Sequence, residues 1–102
     1  MKLSNKYSGT HLVGEFEMDY DELVDIFGEP HSYGNMGDKV DVEWCFEKDD
    51  IVFTIYNWKD GDCYNDNGRS IESLNEWHVG GKNKNALCIV EEIVIDKLFG
   101  GN

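Results

Sequence analysis

The sequence predicts an α+β domain: a small antiparallel sheet, made of a three-strand meander plus an N-terminal strand, with two helices packed on one face. Three observations lead there. The apolar residues change period along the chain, from helical between Tyr20 and Phe27, to alternating from Lys39, and back to helical from Ala86. Short polar turns join the alternating segments, which favours antiparallel neighbours with the helices to one side. A length of 102 residues with 40% apolar content supports one modest core, hence a single domain over residues 1–102.

Each element has its own local signature. THLVGEFE, residues 10–17, alternates and reads as the first strand, and Gly14 within it suggests an edge or a bulge. MDYDELVDIFGEP, residues 18–30, reads as a helix. Asp19 or Asp21 can cap it, Glu22 complements the dipole in its first turn, and Tyr20, Leu23, Val24 and Phe27 recur at helical spacing. Gly28 suits the left-handed position just past the end, and Pro30 stops continuation. HSYGNMGD, residues 31–38, is a turn-rich loop. KVDVEWCFE then puts Val40, Val42, Trp44 and Phe46 on one face, and Asp41, Glu43, Cys45 and Glu47 on the other.

Lys48-Asp49-Asp50 makes a hairpin turn into IVFTIYNWK. There Ile51, Phe53 and Ile55 alternate against Val52, Thr54, Tyr56 and Trp58, and apolar residues on both faces predict a central strand. DGDCYNDNGRS, residues 60–70, is a polar loop, and Ile71 to Val79 reads as the third strand of the meander. Gly80-Gly81 then turns the chain into a second helix. Its stripe is Ala86, Leu87, Ile89, Val90, Ile93, Val94, Leu98 and Phe99, closed by Gly100-Gly101. The β-branched run CIVEEIVI is compatible with a strand, but Glu91-Glu92 opposite the stripe favours helix.

The net charge of -12 is unevenly spread. Residues 7–58 hold thirteen acids against only Lys39 and Lys48, whereas residues 59–102 hold eight acids and five bases. Such a first half repels nucleic acid and membrane surfaces and attracts basic protein surfaces. Direct nucleic-acid binding through a basic patch is therefore not expected; imitation of nucleic acid is an alternative to an acidic surface that only keeps the chain soluble. Cys45, Cys63 and Cys88 form no close pair, MKLSNKYSGT lacks the apolar run of a secretion signal, and no apolar run approaches a membrane span. A cytoplasmic chain with reduced thiols follows as the expectation, each Cys acting as a small buried hydrophobe.

Two groups of residues are candidate sites. EWHVGGKNKNA, residues 76–86, sets Lys82 and Lys84 after a double glycine at a helix start. Free N–H groups, the helix dipole, close backbone approach at Gly80 and Gly81 and two ammonium groups would together suit a phosphate or carboxylate. The bland alternative is a capped turn with solvated lysines. Beside it, Tyr56, Trp58, Lys59, Trp77 and His78 form an aromatic-polar set able to stack a base or dock a protein groove. Three Trp in one small core predict that at least one is partly exposed. The spacings of the nucleotide-binding motifs G-x-x-x-x-G-K-[ST] and G-x-G-x-x-G are absent, so no cofactor is implied. His11, His31 and His78 lie far from one another and from Cys45 and Cys63 in sequence, without metal-ligand spacing. A Cys–His nucleophile built from Cys45 or Cys63 with His78 is the weaker catalytic reading.

Four separated segments, SGTHLVGEFEMDYDELVDIFGEP, DKVDVEWCFE, TIYNWK and WHVGG with an Asn-rich helix start, occur in that order between Ser8 and Val90. Together they resemble a family of small proteins of phages, prophages and some bacteria. The resemblance implies a phage or mobile-element setting, in which small acidic proteins interfere with host defence, and it transfers no active site. A helix ending in FGEP before two strands is also similar to a half-domain of the β-lactamase-inhibitor-protein type, which implies the same layered architecture. The leading expectation is a non-enzymatic inhibitor whose acidic residues Glu17, Asp21, Glu22, Asp25 and Glu29 dock on a basic surface of a host defence protein. Sequestration of a nucleotide-like signal at Trp58, Trp77 and Gly80–Lys84 is the alternative, and a small enzyme acting on a nucleotide is the third reading.

Overall fold

The computed structural model describes residues 1–6 and 8–100. The chain runs β1 (Lys2–Leu3), β2 (His11–Glu17), α1 (Tyr20–Phe27), β3 (Ser32–Tyr33), β4 (Val42–Lys48), β5 (Ile51–Tyr56), a 3₁₀ turn (Ile71–Ser73), β6 (Glu76–Gly81) and α2 (Asn85–Phe99). The strands form one antiparallel sheet ordered β1-β4-β5-β6-β2, with β3 also on β4. Gly101, half of the expected helix-closing pair, lies outside the described residues. Among those described, no helix is long and apolar enough to cross a membrane.

The alternation beginning at Val42 builds the centre. Val42, Trp44 and Phe46 of β4, Phe53 and Ile55 of β5, and Trp77 and Val79 of β6 share one face and are buried under both helices. The β4–β5 hairpin closes through Asp49 and Asp50, both at positive φ (54° and 64°), the backbone a tight two-residue hairpin turn requires. β5 is the central strand, as its two apolar faces predict. β2 is an edge strand, and its register slips between Leu12 and Gly14, so the bulge expected at Gly14 is present.

Two tryptophans fix the short helix α1. Trp44 and Trp77 are fully buried and meet edge to face at 5.6 Å, with Tyr20 tilted 6.3 Å from each. The Trp77 indole N–H donates to the Met18 carbonyl just before α1, and that of Trp44 donates to the Gly28 carbonyl just after it, both at 2.8 Å. An eight-residue helix is marginal in isolation, so this clamp, with Leu23 and Phe27 buried beneath, is what holds it. Gly28 is at φ +82° as a glycine stop requires, but its ψ of -174° is extended rather than left-handed helical, and Asp19 occupies the cap position without a side-chain capping bond.

Several expectations are corrected. Ile71–Ser73 is a 3₁₀ turn rather than strand, and β6 starts only at Glu76. β6 also runs through Gly80 and Gly81, so the turn into α2 is Lys82–Lys84 and the helix begins at Asn85. The loop 31–38 contributes Ser32–Tyr33 to the sheet. Cys88 is exposed, unlike buried Cys45 and half-buried Cys63, and Leu98 and Phe99 at the end of the predicted stripe are exposed too.

Candidate functional site

The face away from the helices carries one row of side chains across four strands. Register aligns Glu43 with Tyr56, Tyr56 with His78, and His78 with Glu15. Glu15 Oε1 lies 3.1 Å from His78 Nε2, and the Tyr56 ring meets the His78 ring edge on at 5.4 Å. Burial raises the pKa of Glu43; burial followed by the carboxylates of Glu43 and Glu15 raises that of Tyr56. Burial thus keeps the proton on Glu43 and on Tyr56 more readily than in water, and for Tyr56 the neighbouring carboxylates add to the effect.

Trp58 closes the row. It is 42% exposed and stacks nearly parallel to His78 at 6.3 Å. The ammonium groups of Lys39 and Lys59 both sit 5.7 Å from its ring centroid, and Lys59 is equally close to Tyr64. Lys59 is held at φ +63° while its N–H donates to the Lys39 carbonyl at 2.7 Å. A non-glycine residue in that region is uncommon. This is the exposed tryptophan that the aromatic content predicts.

The other members of the predicted ligand set are elsewhere. Trp77 is on the opposite face and fully buried, so a shared Trp58/Trp77 surface does not exist. Lys82 and Lys84 are exposed, but Lys82 lies four residues beyond His78 along β6, roughly 13 Å at ~3.3 Å per residue. Neither lysine makes an ion pair among the described residues. The Asn85 N–H is taken by Asn83 Oδ1 at 2.9 Å and that of Ala86 by the Asn83 carbonyl at 3.2 Å, the bonding of a capped turn.

Gly80 and Gly81 are buried, and their missing side chains are accounted for by packing: a Cβ at Gly80 would strike Thr54, and one at Gly81 would strike the Ala86 methyl. Gly81 is not in the left-handed region, so its need for glycine is purely steric. Gly81→Val is expected to destabilise the fold by about 1–3 kcal/mol through overpacking against α2, read as a lowered midpoint in thermal or urea unfolding.

The acidic set is exposed throughout, but it is not one flat face. Glu17 ends β2 on the open side of the sheet, whereas Asp21, Glu22 and Asp25 project from α1 in the helical layer and Glu29 follows it. Glu17, Asp21 and Glu22 lie at the corner where β2 turns into α1, and Asp25 and Glu29 extend the set to the far end of the helix. None makes an ion pair among the described residues. Of the set only Glu29 acts on Tyr20, whose pKa is pushed up to about 12 by burial, then by Tyr33 and the carboxylates of Glu29 and Glu72.

A polar knot missed in the sequence lies at the end of β5. Asn57, fully buried, accepts from the N–H groups of Asp41 (2.7 Å) and Val42 (3.2 Å) and donates to the carboxylates of Asp41 (2.9 Å) and Asp60 (3.0 Å). Asp41 Oδ2 in turn accepts from the Cys63 N–H at 3.1 Å. One signal could have found it, since Asn57 continues the core-facing phase set by Ile51, Phe53 and Ile55.

The thiol and imidazole candidates for metal binding are not gathered; Asp41, Asp62 and Cys63 come together instead, their donor atoms within 4.8 Å of one another. The Asp41 carboxylate is already used within the knot. Burial, the bond to Asp41 and the fields of Asp41, Asp62 and Asp38 push the Cys63 thiol up to about 11, and burial followed by Glu43 raises Cys45. Both shifts oppose thiolate nucleophilicity.

His31 rather than His78 pairs with Cys45, and through the backbone. The Cys45 N–H donates to His31 Nδ1 at 2.9 Å, and Phe46 packs edge on at 4.6 Å. Desolvation lowers the His31 pKa from 6.5. Its contribution to stability is therefore complete above the unfolded-state value and lost as pH falls through the lower folded value. An NMR titration should place His31 below 6.5, with the Cys45 amide resonance moving in step.

No protein-family model matches the sequence, and neither does any curated protein or solved structure. The residues themselves therefore carry the functional reading.

Proposed function

We propose that the protein is a binding module that occupies a basic surface of a host defence component through its acidic β2–α1 corner, in the manner of an inhibitor or nucleic-acid mimic. One observation carries the reading: Glu17, Asp19, Asp21, Glu22, Asp25 and Glu29 are all exposed, with no base between them in sequence and no ion pair to any of them among the described residues. Asp21 and Asp25, one turn apart, repel each other, a cost that an isolated chain would avoid and that a cationic partner would reverse. The helix bearing them is fixed at both ends, so the charges are presented in a constant arrangement. The phage-protein resemblance supports the host-defence setting.

The test is the triple substitution Asp21→Asn, Asp25→Asn and Glu29→Gln. Folding stability should change by no more than about 0.5 kcal/mol, because the sites are exposed and unpaired. Association with a host protein captured by the wild type should slow by about tenfold at low salt and lose most of its salt dependence. An unchanged rate and salt slope would place the docking surface elsewhere.

A second reading is favoured by Lys59, whose left-handed backbone brings its ammonium over both Trp58 and Tyr64. With Lys39, Tyr56 and His78 this cluster suits a planar anion such as a nucleotide. A thermal-shift screen of nucleotides, repeated with Trp58→Ala, distinguishes it from protein docking.

A further inference from the structure

The two edges of the sheet are treated differently. The outer edge of β4 is covered by two short strands, β1 and β3. Beyond β2 no other described strand lies, and its seven residues, HLVGEFE, contain neither the lysine nor the proline that commonly guards an edge. A depression lies on each side of β2. On the helix side, Phe16, Leu87, Val90, Val94 and Ile95 line an apolar trough of about 250 Å³ rimmed by Glu91, and Ile95 is 56% exposed. On the open side, Glu15, Glu17, Glu76 and His78 surround a polar hollow of about 330 Å³. Glu15 and Phe16 border both.

We infer that the β2 edge accepts an extended segment of the partner protein as an added strand, one in which apolar and basic residues alternate. The inference rests on the protein-binding reading above and names the form the partner takes. Successive side chains of a strand point to opposite faces, so a segment paired with β2 sends alternate residues into the apolar trough and the others into the acidic hollow. The acidic side needs cations for a reason internal to the fold. Glu17 sits directly opposite Glu76 in the ladder, and like charges so placed are destabilising until a positive group comes between them. The same charges argue against a second copy of this chain as occupant: pairing β2 with β2 would bring Glu15 and Glu17 of both copies together in molecules of net charge -12 each. A basic, alternating strand satisfies the outer backbone groups of β2, which pair with no other described strand, together with the trough and the carboxylates.

Two octapeptides of equal valine and arginine content provide the test, one alternating and one with the arginines and valines in separate blocks, titrated into isotopically labelled protein and followed by NMR. The alternating peptide should bind about tenfold more tightly, with the largest amide shifts in β2 and between Leu87 and Ile95. Ile95→Glu should lower its affinity by about tenfold, while the thermal midpoint stays near that of the wild type because the site is exposed. Equal, salt-sensitive binding of both peptides with shifts centred on α1 would overturn edge docking and leave the acidic-corner reading standing. Binding by neither would overturn both. Self-association abolished by Ile95→Glu would make a second copy the occupant and overturn the inference.

Discussion

Replacing Asn57 by alanine is expected to remove on the order of 3–5 kcal/mol of folding stability, a large part of the ~5–15 kcal/mol typical of a domain. The side chain is fully buried and satisfies four groups at once: the N–H groups of Asp41 and Val42 and the carboxylates of Asp41 and Asp60. Alanine removes all four bonds; Asp41 keeps the Cys63 N–H and half-buried Asp60 reaches water, so the loss falls mainly on the two N–H groups and Asp41 Oδ1, each stranded group costing about 1–3 kcal/mol. The damage spreads because Asp41 also holds the Cys63 N–H, so one of the bonds that tie down the 60–70 loop is loosened. Asn57→Asp sharpens the test. It keeps an acceptor for the two N–H groups, loses the amide donor and places a third carboxylate beside Asp41 and Asp60. Its destabilisation should be greatest at neutral pH and shrink in acid. Urea unfolding of the three proteins provides the check; a loss below about 1 kcal/mol for alanine would mean that water replaces the amide without penalty.

Trp77→Ala should cost a comparable amount, about 3–5 kcal/mol, through the cavity and the lost packing on Trp44 and Tyr20. Trp77→Phe isolates the polar part. It preserves an aromatic ring but leaves the Met18 carbonyl without its indole donor, for a cost of about 1–3 kcal/mol. Because that bond fixes the entry to α1, the Phe variant should also loosen the helix that bears Asp21, Glu22 and Asp25. The expected signature is reduced helical circular dichroism well below the melting midpoint, together with slower association with a basic partner. A stable Trp77→Phe protein with an intact α1 signal would show that packing alone positions the helix.

Local periodicity made much of the fold legible. Val42, Trp44 and Phe46 against Phe53 and Ile55, the hairpin turn and the helix stop at Gly28 are decided by neighbours in sequence; the structure differs only in narrowing the turn from Lys48-Asp49-Asp50 to Asp49-Asp50, with Lys48 paired to Ile51. What failed was non-local. Trp77 and His78 are adjacent, and which one joins Tyr56 and Trp58 depends on the β5–β6 register, which places His78 beside Tyr56 and sends Trp77 into the core. Gly80-Gly81 looks like a turn because glycine so often marks one; here the residues continue a strand because Thr54 and Ala86 leave no room for a side chain. Ile71 suggests strand by propensity, yet the segment bonds locally as a 3₁₀ turn, Ser73 and Leu74 donating to Ser70 and Ile71. The cluster around Trp58 was half visible, since Tyr56, Lys59 and His78 were identifiable, whereas Lys39 arrives from a distant loop.

The β2–β6 pairing has a kinetic corollary. The β4–β5 hairpin closes over two residues, whereas Glu17 meets Glu76 only after roughly sixty residues of chain have been looped out, an entropic penalty that must be met before any contact compensates. The β2–β6 ladder is therefore expected to close after the β4–β5 hairpin and to open before it. Amide protons of β2 should exchange with solvent through a partial opening that leaves β4 and β5 protected, so the edge that faces outward is less permanent than the hairpin at the centre of the sheet.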